Sequence, residues 1–300
     1  MAMPTPNTQK KGLLLPAAAV IVVLGLGGAY VERHRIKDAW TAFNAPKLPP
    51  AAAYIPGSAT SPSAAGQEVT SPFEPGYSTS QHYTLETSPT TKPVAGDPLA
   101  FKGTLPAEAN LDVPFTTQAP NSNWDFPYQE ACEEASALMV NAYYKGKTGV
   151  IPAAEADREI LDIVAYEKKT LGFYEDTNAA QTAEFIKGFY GYNNVIVKPL
   201  TSPDDIKQAI ALGYPVIVPF AGKELGNPNF RNGGPPYHML VFRGYTPKLF
   251  ITNDPGTRNG KQYTYTYDTV MNAAHEWVGD AASIGKGKKM MIVVIPNATK

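Results

Sequence analysis

Proline content divides the chain and limits how much of it can fold. Eleven prolines lie between residues 41 and 110, and serine, threonine, alanine and glycine supply much of the remainder. No apolar period of two or 3.6 residues persists there, so this stretch cannot bury enough surface to offset the entropy lost on ordering. We therefore expect a short tail at residues 1–12, an extended, disordered tether at 32–104 and one folded domain at 105–297.

An apolar run precedes the tether. Residues 13–31 form an uncharged stretch of 19 residues, which is long enough to cross a bilayer as a helix. The alternative is a cleaved signal peptide, with small residues at 27–29 as the cleavage site. Because a cationic cluster begins directly afterwards at Arg33, we expect an uncleaved single-pass membrane anchor with the folded domain outside the cytoplasm.

Charge and cysteine content exclude several classes of function. The chain has 26 basic and 27 acidic residues and a net charge of −1. A nucleic-acid-binding surface usually shows a basic excess, so we expect no nucleic-acid partner. The single cysteine excludes an intrachain disulfide framework and any zinc or iron–sulfur site built on several cysteines. Since the four histidines are scattered as well, we expect neither a metal nor another cofactor.

The periodicity of the folded domain indicates an α+β class. Apolar residues recur at helical spacing in the first half, and short β-rich runs dominate the second half. A cap, a proline and two acids at 202–205 mark one helix start. We expect helices first and a largely antiparallel sheet after them. The predicted helices are 128–145, 152–169, 178–189, 203–213 and 268–277, and the predicted strands are 215–220, 238–245, 248–253, 262–267 and 289–295.

Cys132 is the most informative residue of the domain. It lies near the start of the first long helix, where the positive end of the helix dipole favours a thiolate. Glu133 and Glu134 beside it raise a thiol pKa, so a nucleophile here requires a cationic partner. Cys132 also shares a helix face with apolar residues such as Met139, so a buried core cysteine is the alternative.

His238 is the candidate partner. It follows a glycine-rich loop and opens a predicted strand, whereas the rival His275 lies in a late helix. If the two strands at 238–245 and 248–253 form a hairpin, His238 and Asp254 lie at the same end of it. Asp254 could then orient the imidazole in a nucleophile–base–orienter triad. Asn253 could do the same through its amide oxygen.

Two further features complete the candidate site. Gln118 precedes the cysteine helix, and its side-chain amide can help a backbone N–H hold a developing oxyanion. Gln129 is the alternative donor. Tyrosines alternate with threonines at 263–267, which predicts a half-buried strand face. A carbohydrate-stacking surface is the alternative there.

These segments, in this order, resemble the peptidase C39-like family of the papain-like clan, over residues 108–296. The segments are Val113–Gln118, Cys132 leading a helix, Tyr237–Val241, Gly244–Tyr245 and Asn253–Gly256. The resemblance implies a papain-like fold, with N-terminal helices packed on a mainly antiparallel sheet, and cysteine peptidase activity. It implies that Cys132 is the nucleophile, His238 the general base, Asp254 its orienter and Gln118 the oxyanion donor.

The sequence departs from the family in two places. Glu133 stands where many members carry glycine, and the spacing from Gln118 to Cys132 is longer than in the bacteriocin-processing branch. The expected function is that of a membrane-tethered thiol hydrolase that cuts an amide bond through an acyl-enzyme. Its partner would be a peptide, protein or cell-wall peptide substrate. The alternatives are an inactive binding domain and a cell-wall amidase or acyl transferase.

Overall fold

The computed structural model describes residues 45–56 and 96–298. The expected tail and anchor, and the parts of the expected tether at 32–44 and 57–95, lie outside these residues. Within the described ranges no helix is long and apolar enough to cross a membrane. Every helix and strand named below belongs to one unit of the chain, Leu48–Lys300.

Five α-helices lie in the described part of the chain. Their bounds are α1 Cys132–Tyr144, α2 Ala153–Thr170, α3 Ala179–Tyr190, α4 Pro203–Ala211 and α5 Tyr267–Ala273. Asn178 caps α3, because its side-chain oxygen accepts hydrogen bonds from the backbone N–H groups of Ala180 and Gln181. Helix α4 begins with proline at its first turn, as the sequence predicts, and Asp205 Oδ2 accepts from the backbone N–H of Ser202 at 2.8 Å.

Two predicted helices differ at their ends. The helix expected at 128–145 begins later, because Tyr128–Glu130 form a 3₁₀ turn and the α-helix starts at Cys132. The last ends at Ala273 rather than 277. There the chain turns extended, bridges Ala274 to Phe220, and uses the N–H of His275 to reach Pro219 O at 3.1 Å. Pairing with the sheet thus replaces the last helical turn.

All strand pairs of the seven-stranded sheet are antiparallel. Its strands are β1 Ala109–Asn110, β2 Asn194–Pro199, β3 Val216–Ala221, β4 Tyr237–Tyr245, β5 Leu249–Asn253, β6 Tyr263–Thr266 and β7 Met290–Ile295. The order is β2-β7-β3-β4-β5-β6, with β1 paired to β4. Strand β4 is buried along its whole length. The α+β class, with helices before an antiparallel sheet, is therefore confirmed.

Helix α1 is the centre of the helical layer. It packs on β4 and on α2 and α3, and every residue from Cys132 to Tyr143 is buried. Two consecutive glutamates, Glu133 and Glu134, are completely buried on it. Charged residues are almost never buried without partners, so their surroundings decide how α1 behaves.

Arg243 fastens the N-terminal segment of the domain to β4. Its completely buried guanidinium donates to Asn110 Oδ1 at 3.0 Å and to Val113 O at 2.9 Å, and contacts Asp112 Oδ1 at 3.5 Å. Burial lowers the pKa of Arg243 to about 10, although Asp112 opposes the shift. The contacts of Arg243 thus hold the segment that leads to Gln118 against β4.

A short segment of the expected tether also contacts the domain. Ala52 pairs with Leu111 as a parallel bridge, its N–H donates to Asn110 O at 2.8 Å, and its carbonyl accepts from Asp112 N at 2.7 Å. The ring of Tyr54 packs on Tyr143 at 5.4 Å between ring centroids. Residues around 48–56 thus extend the sheet edge at β1, in a region that composition alone assigns to the tether.

Candidate active site

The single cysteine of the chain opens helix α1. Ala131, with φ of −99° and ψ of 33°, separates the preceding 3₁₀ turn from the α-helix, and Cys132 is its first residue. The first N–H groups of a helix have no acceptor within it, so the N–H of Cys132 and the positive dipole end lie beside the thiol. The side chain is only 5% exposed. The residue therefore combines the helix-start position with the burial of a core cysteine.

Glu133 is the hydrogen-bond partner of the thiol. Cys132 Sγ donates to Glu133 Oε2 at 2.9 Å, and the other carboxyl oxygen accepts from the N–H of Thr177 at 2.9 Å. Burial raises the pKa of the Cys132 thiol well above its usual value, and the carboxyls of Glu133, Glu134 and Asp176 raise it further. Burial, followed by the charge of Glu134, also raises the pKa of Glu133.

Two further buried carboxyls, those of Glu134 and Glu167, lie near Glu133. Glu134 on α1 and Glu167 on α2 are completely buried, and their carboxyl oxygens have no protein donor among the described residues. Burial raises the pKa of both groups; Glu167 raises that of Glu134 further, and Glu133 that of Glu167. Two adjacent buried carboxyls cannot both ionise cheaply. This pair is therefore held in a protonated state well above the pH at which glutamate usually ionises.

His238 and Asp254 form a buried couple on the facing strands. His238 is the second residue of β4 and Asp254 directly follows β5, so the hairpin expected from the sequence brings them to one end. His238 Nε2 and Asp254 Oδ1 lie 2.8 Å apart, with both side chains 1% exposed or less. The imidazole ring also meets Phe230 edge-on, with 5.3 Å between ring centroids. With Nε2 engaged by the carboxylate, Nδ1 is the nitrogen left to accept a proton.

Asp254 has four donors around its carboxylate. Besides His238, Oδ1 accepts from the N–H of Gly256 at 3.0 Å, and Oδ2 accepts from Tyr265 Oη at 2.6 Å and Asn227 Nδ2 at 3.1 Å. Burial alone would raise the pKa of Asp254, but the charge of His238 and these hydrogen bonds outweigh it and hold the pKa below its usual value. Asp254 is therefore a charged group set to orient an imidazolium.

Sequence reasoning did not assign Tyr265 and Asn227 to this site. The tyrosine alternation at 263–267 indicates a half-buried strand, which β6 confirms for Tyr263 and Tyr265, but nothing in it points to a carboxylate. Asn227 lies in a long loop with no regular pattern. Tyr265 reaches Asp254 across the β5–β6 pair, 11 residues further along the chain, and Asn227 reaches it from a loop 27 residues earlier. No residue pattern in either segment indicates a carboxylate partner.

The thiol and the imidazole belong to adjacent elements. One helical turn after Cys132, Ser136 Oγ contacts Met239 O at 3.4 Å, one residue beyond His238. In the described region, however, the hydrogen bond of the thiol goes to Glu133, and none joins it to His238. The structure therefore brings His238 and Asp254 into contact, and it places Cys132 on the helix that packs on the strand of His238, with the thiol hydrogen directed to Glu133.

Gln118 links the two halves of the site. Its Nε2 donates to Tyr128 O at 2.9 Å and Gln129 O at 3.0 Å, and its backbone N–H donates to Pro255 O at 3.0 Å. Both amide hydrogens are thus used by carbonyls of the turn before α1, and neither is free for an oxyanion in this arrangement. Gln129, the alternative, is exposed and lines the adjoining cavity.

Asn253 and His275, the alternatives to Asp254 and His238, make other contacts. Asn253 donates to Val113 O at 3.0 Å and Pro114 O at 3.1 Å, so it secures the segment before Gln118 rather than His238. His275 Nδ1 lies 2.8 Å from Gly287 O. In the described ranges no three histidine, cysteine, aspartate or glutamate side chains converge as metal ligands.

Two adjoining cavities flank the candidate residues. The larger, of about 650 Å³, is lined by Gln118, Phe230 and Gly256 among others. Gly256 lies so close to the imidazole that a Cβ atom there would be 2.9 Å from His238 Cε1. The smaller, of about 270 Å³, is lined by acids and aromatic rings, and it shares Glu130 with the larger one. Burial and neighbouring carboxylates raise the pKa of one of these acids, Asp176, to about 6.

The candidate site thus consists of a helix-start cysteine and a buried histidine–carboxylate couple, whose histidine lies on the strand that the cysteine helix packs against. A family model described as the Peptidase_C39 like family matches residues 110–282, and the chain belongs to this family. A solved structure described as a candidate C39-like peptidase from Bacillus anthracis is similar, with a TM-score of 0.42 and 15% identity, covering 64% of this chain and 99% of its own. No curated protein matches the chain.

Proposed function

We propose that the domain is a thiol peptidase in which Cys132, His238 and Asp254 act as nucleophile, base and orienter. The observation that carries the proposal is the contact of 2.8 Å between His238 Nε2 and the four-donor carboxylate of Asp254. A buried histidine–carboxylate couple near a cavity, together with a cysteine on the helix that packs on β4, would supply the base, the orienter and the nucleophile of acyl transfer.

The reaction would proceed in two steps. His238 Nδ1 takes the thiol proton while Sγ attacks the amide carbonyl carbon, and the backbone N–H of Cys132 donates to the oxyanion. The C–N bond then breaks, the amine leaves with the proton from His238, and a thioester remains. Water, deprotonated by His238, hydrolyses the thioester and restores the thiol. Gln118 would act as a positioning residue, since it joins the turn before Cys132 to the turn after Asp254.

The test is cleavage of a quenched random peptide library by the full chain. We expect turnover by the wild type and its loss in Cys132→Ser and in His238→Gln, with unfolding temperatures within a few degrees of the wild type. Undiminished cleavage by Cys132→Ser would refute the proposal.

A non-catalytic binding domain is the second candidate, and one observation favours it. The thiol is buried, its pKa is raised, and its proton is held by Glu133. Since Cys132 is the single cysteine, alkylation of the native chain measures this thiol alone. A pH profile that His238→Gln leaves unchanged, together with absent turnover, would favour the binding domain.

We also propose that residues 13–31 anchor the domain outside the cytoplasm. The uncharged length of the run supports this. Carbonate-resistant membrane association, lost on deletion of 13–31, would agree with it. Protease added outside intact cells tests on which side of the membrane the domain lies, since an external domain is digested.

A further inference from the structure

The larger cavity adjoins the imidazole of the candidate site and carries an unusual charge distribution. Three charged residues line it: Arg231 from the 3₁₀ turn Arg231–Gly233 before β4, Arg258 from the turn after Asp254, and Glu130. Since Gly256 lines it and lies against the His238 ring, a molecule bound here is within reach of the base. The charges that line the cavity therefore bear on which substrates bind.

The two arginines have no partner among the described residues. Both are exposed, and in the described ranges neither guanidinium has a hydrogen bond or a carboxylate partner. Arg243 shows the contrast, because its guanidinium contacts three acceptors. Two unpaired guanidinium groups in one cavity give it a positive field that a bound anion can satisfy.

The loops that carry the arginines are tied to each other and to the candidate site. Asn259 Nδ2 donates to Asn229 Oδ1 at 3.0 Å, and Asn229 Nδ2 donates to Asn227 Oδ1 at 3.0 Å. Asn227 Nδ2 in turn donates to Asp254 Oδ2 at 3.1 Å. This chain of amides holds the two arginine-bearing loops relative to the His238–Asp254 couple. Fixed loops reduce the ordering cost of binding.

We propose that this cavity selects peptides bearing a carboxylate near the scissile bond, bound by Arg231 and Arg258. Guanidinium groups match carboxylate oxygens in geometry and charge. The carboxylate can be an acidic side chain or a peptide C-terminus, which share this chemistry. The inference rests on the proposed function, because it takes the bound molecule to be a peptide.

The test measures binding, so it does not depend on turnover. The probe is a set of rhodamine-labelled octapeptides with Glu, Gln or Lys at each position, and with a free or amidated C-terminus. Fluorescence anisotropy gives their affinities for the full chain carrying Cys132→Ser. We expect the best Glu peptide, or the free-carboxylate peptide, to bind about fivefold more tightly than its neutral twin, as for an exposed ion pair. Added salt reduces the preference.

Variants then locate the preference. The double variant Arg231→Gln/Arg258→Gln abolishes it, whereas Arg158→Gln, an exposed arginine on α2 outside both cavities, leaves it intact. The inference is overturned if no Glu or free-carboxylate peptide binds better than its neutral twin, or if the double variant keeps the preference. A carboxylate preference without cleavage by the wild type would refute the peptidase and leave the carboxylate site. Cleavage by the wild type without a carboxylate preference would refute the carboxylate site and leave the peptidase.

Discussion

Replacing Glu133 by glutamine should lower the pKa of the Cys132 thiol. Glu133 Oε2 lies 2.9 Å from Sγ, and after burial its charge is the largest cause that raises the thiol pKa. Glutamine keeps the shape and the oxygen that accepts from Thr177. Its Nε2 takes the place of Oε2 and can donate to a thiolate, which favours the charged sulfur.

The size of the change follows from the charge removed. Two unit charges about 4 Å apart interact by about 4 kcal/mol at an effective dielectric constant near 20, which corresponds to about three pKa units. Because the pKa of Glu133 is itself raised, its carboxyl carries less charge at a given pH than an ordinary glutamate does, which reduces the effect. We therefore expect the thiol pKa to fall by about one to three units. Burial, the larger cause, is unchanged.

Alkylation of the native full chain by iodoacetamide, followed by intact mass, gives this pKa from the rate against pH. At a fixed pH below the thiol pKa, each unit of decrease raises the thiolate fraction about tenfold and lowers its nucleophilicity about threefold, so the rate rises about threefold. Glu184→Gln, on the exposed face of α3, is the matched control and should not shift the profile.

One result would refute this reasoning. If Glu133→Gln unfolds at the wild-type temperature but its thiol pKa is unchanged or higher, Glu133 does not control the thiol. Burial alone would then account for the raised pKa of Cys132.

Three further predictions concern stability. Glu134 and Glu167 have raised pKa values in the folded state. Their contribution to the free energy of unfolding is therefore present at low pH and is lost as the pH rises above the usual glutamate pKa. Glu167→Gln should flatten the fall in unfolding temperature between pH 5 and 8, and an unchanged slope would contradict this. Arg243→Met leaves buried acceptors unpaired and should cost about 3 kcal/mol in urea unfolding, whereas Lys198→Met, which removes a partly exposed pair with Asp97, should cost below about 1 kcal/mol. Asn178→Ala removes the cap of α3 and should cost about 1 kcal/mol by the same assay, and a neutral result would mean that the cap does not contribute.

Local patterns predicted those parts of the fold that local chemistry determines. The start of α4 follows from a serine, a proline and two acids in sequence, and the structure begins the helix at Pro203. The meeting of His238 and Asp254 follows from a hairpin geometry that pairs Val241 with Asn253. In both cases residues close in sequence carry the information.

Contacts between distant segments could not be predicted in this way. The sequence places acids beside Cys132 but does not show that Glu133 points inward to Thr177, which is 44 residues away. Gln118 was expected to donate to an oxyanion, yet its donors reach two carbonyls of a turn that the helical pattern had concealed. Composition likewise assigned Ala52 to a tether, since a single edge bridge needs no periodicity.

Two completely buried carboxyls on either side of the site have opposite pKa shifts, and the count of donors explains the difference. Asp254 receives four donors and a cationic neighbour, which outweigh burial. Glu133 receives two donors and lies beside Glu134, so burial prevails. The lowered pKa of Asp254 keeps a negative charge beside His238. The raised pKa of Glu133 lessens the negative charge that this carboxyl, which accepts the hydrogen bond of the thiol, places beside the sulfur. The raised pKa of Glu133 thus reduces the charge that opposes a Cys132 thiolate without removing it, because Asp176, with a pKa of about 6, still carries charge near neutral pH.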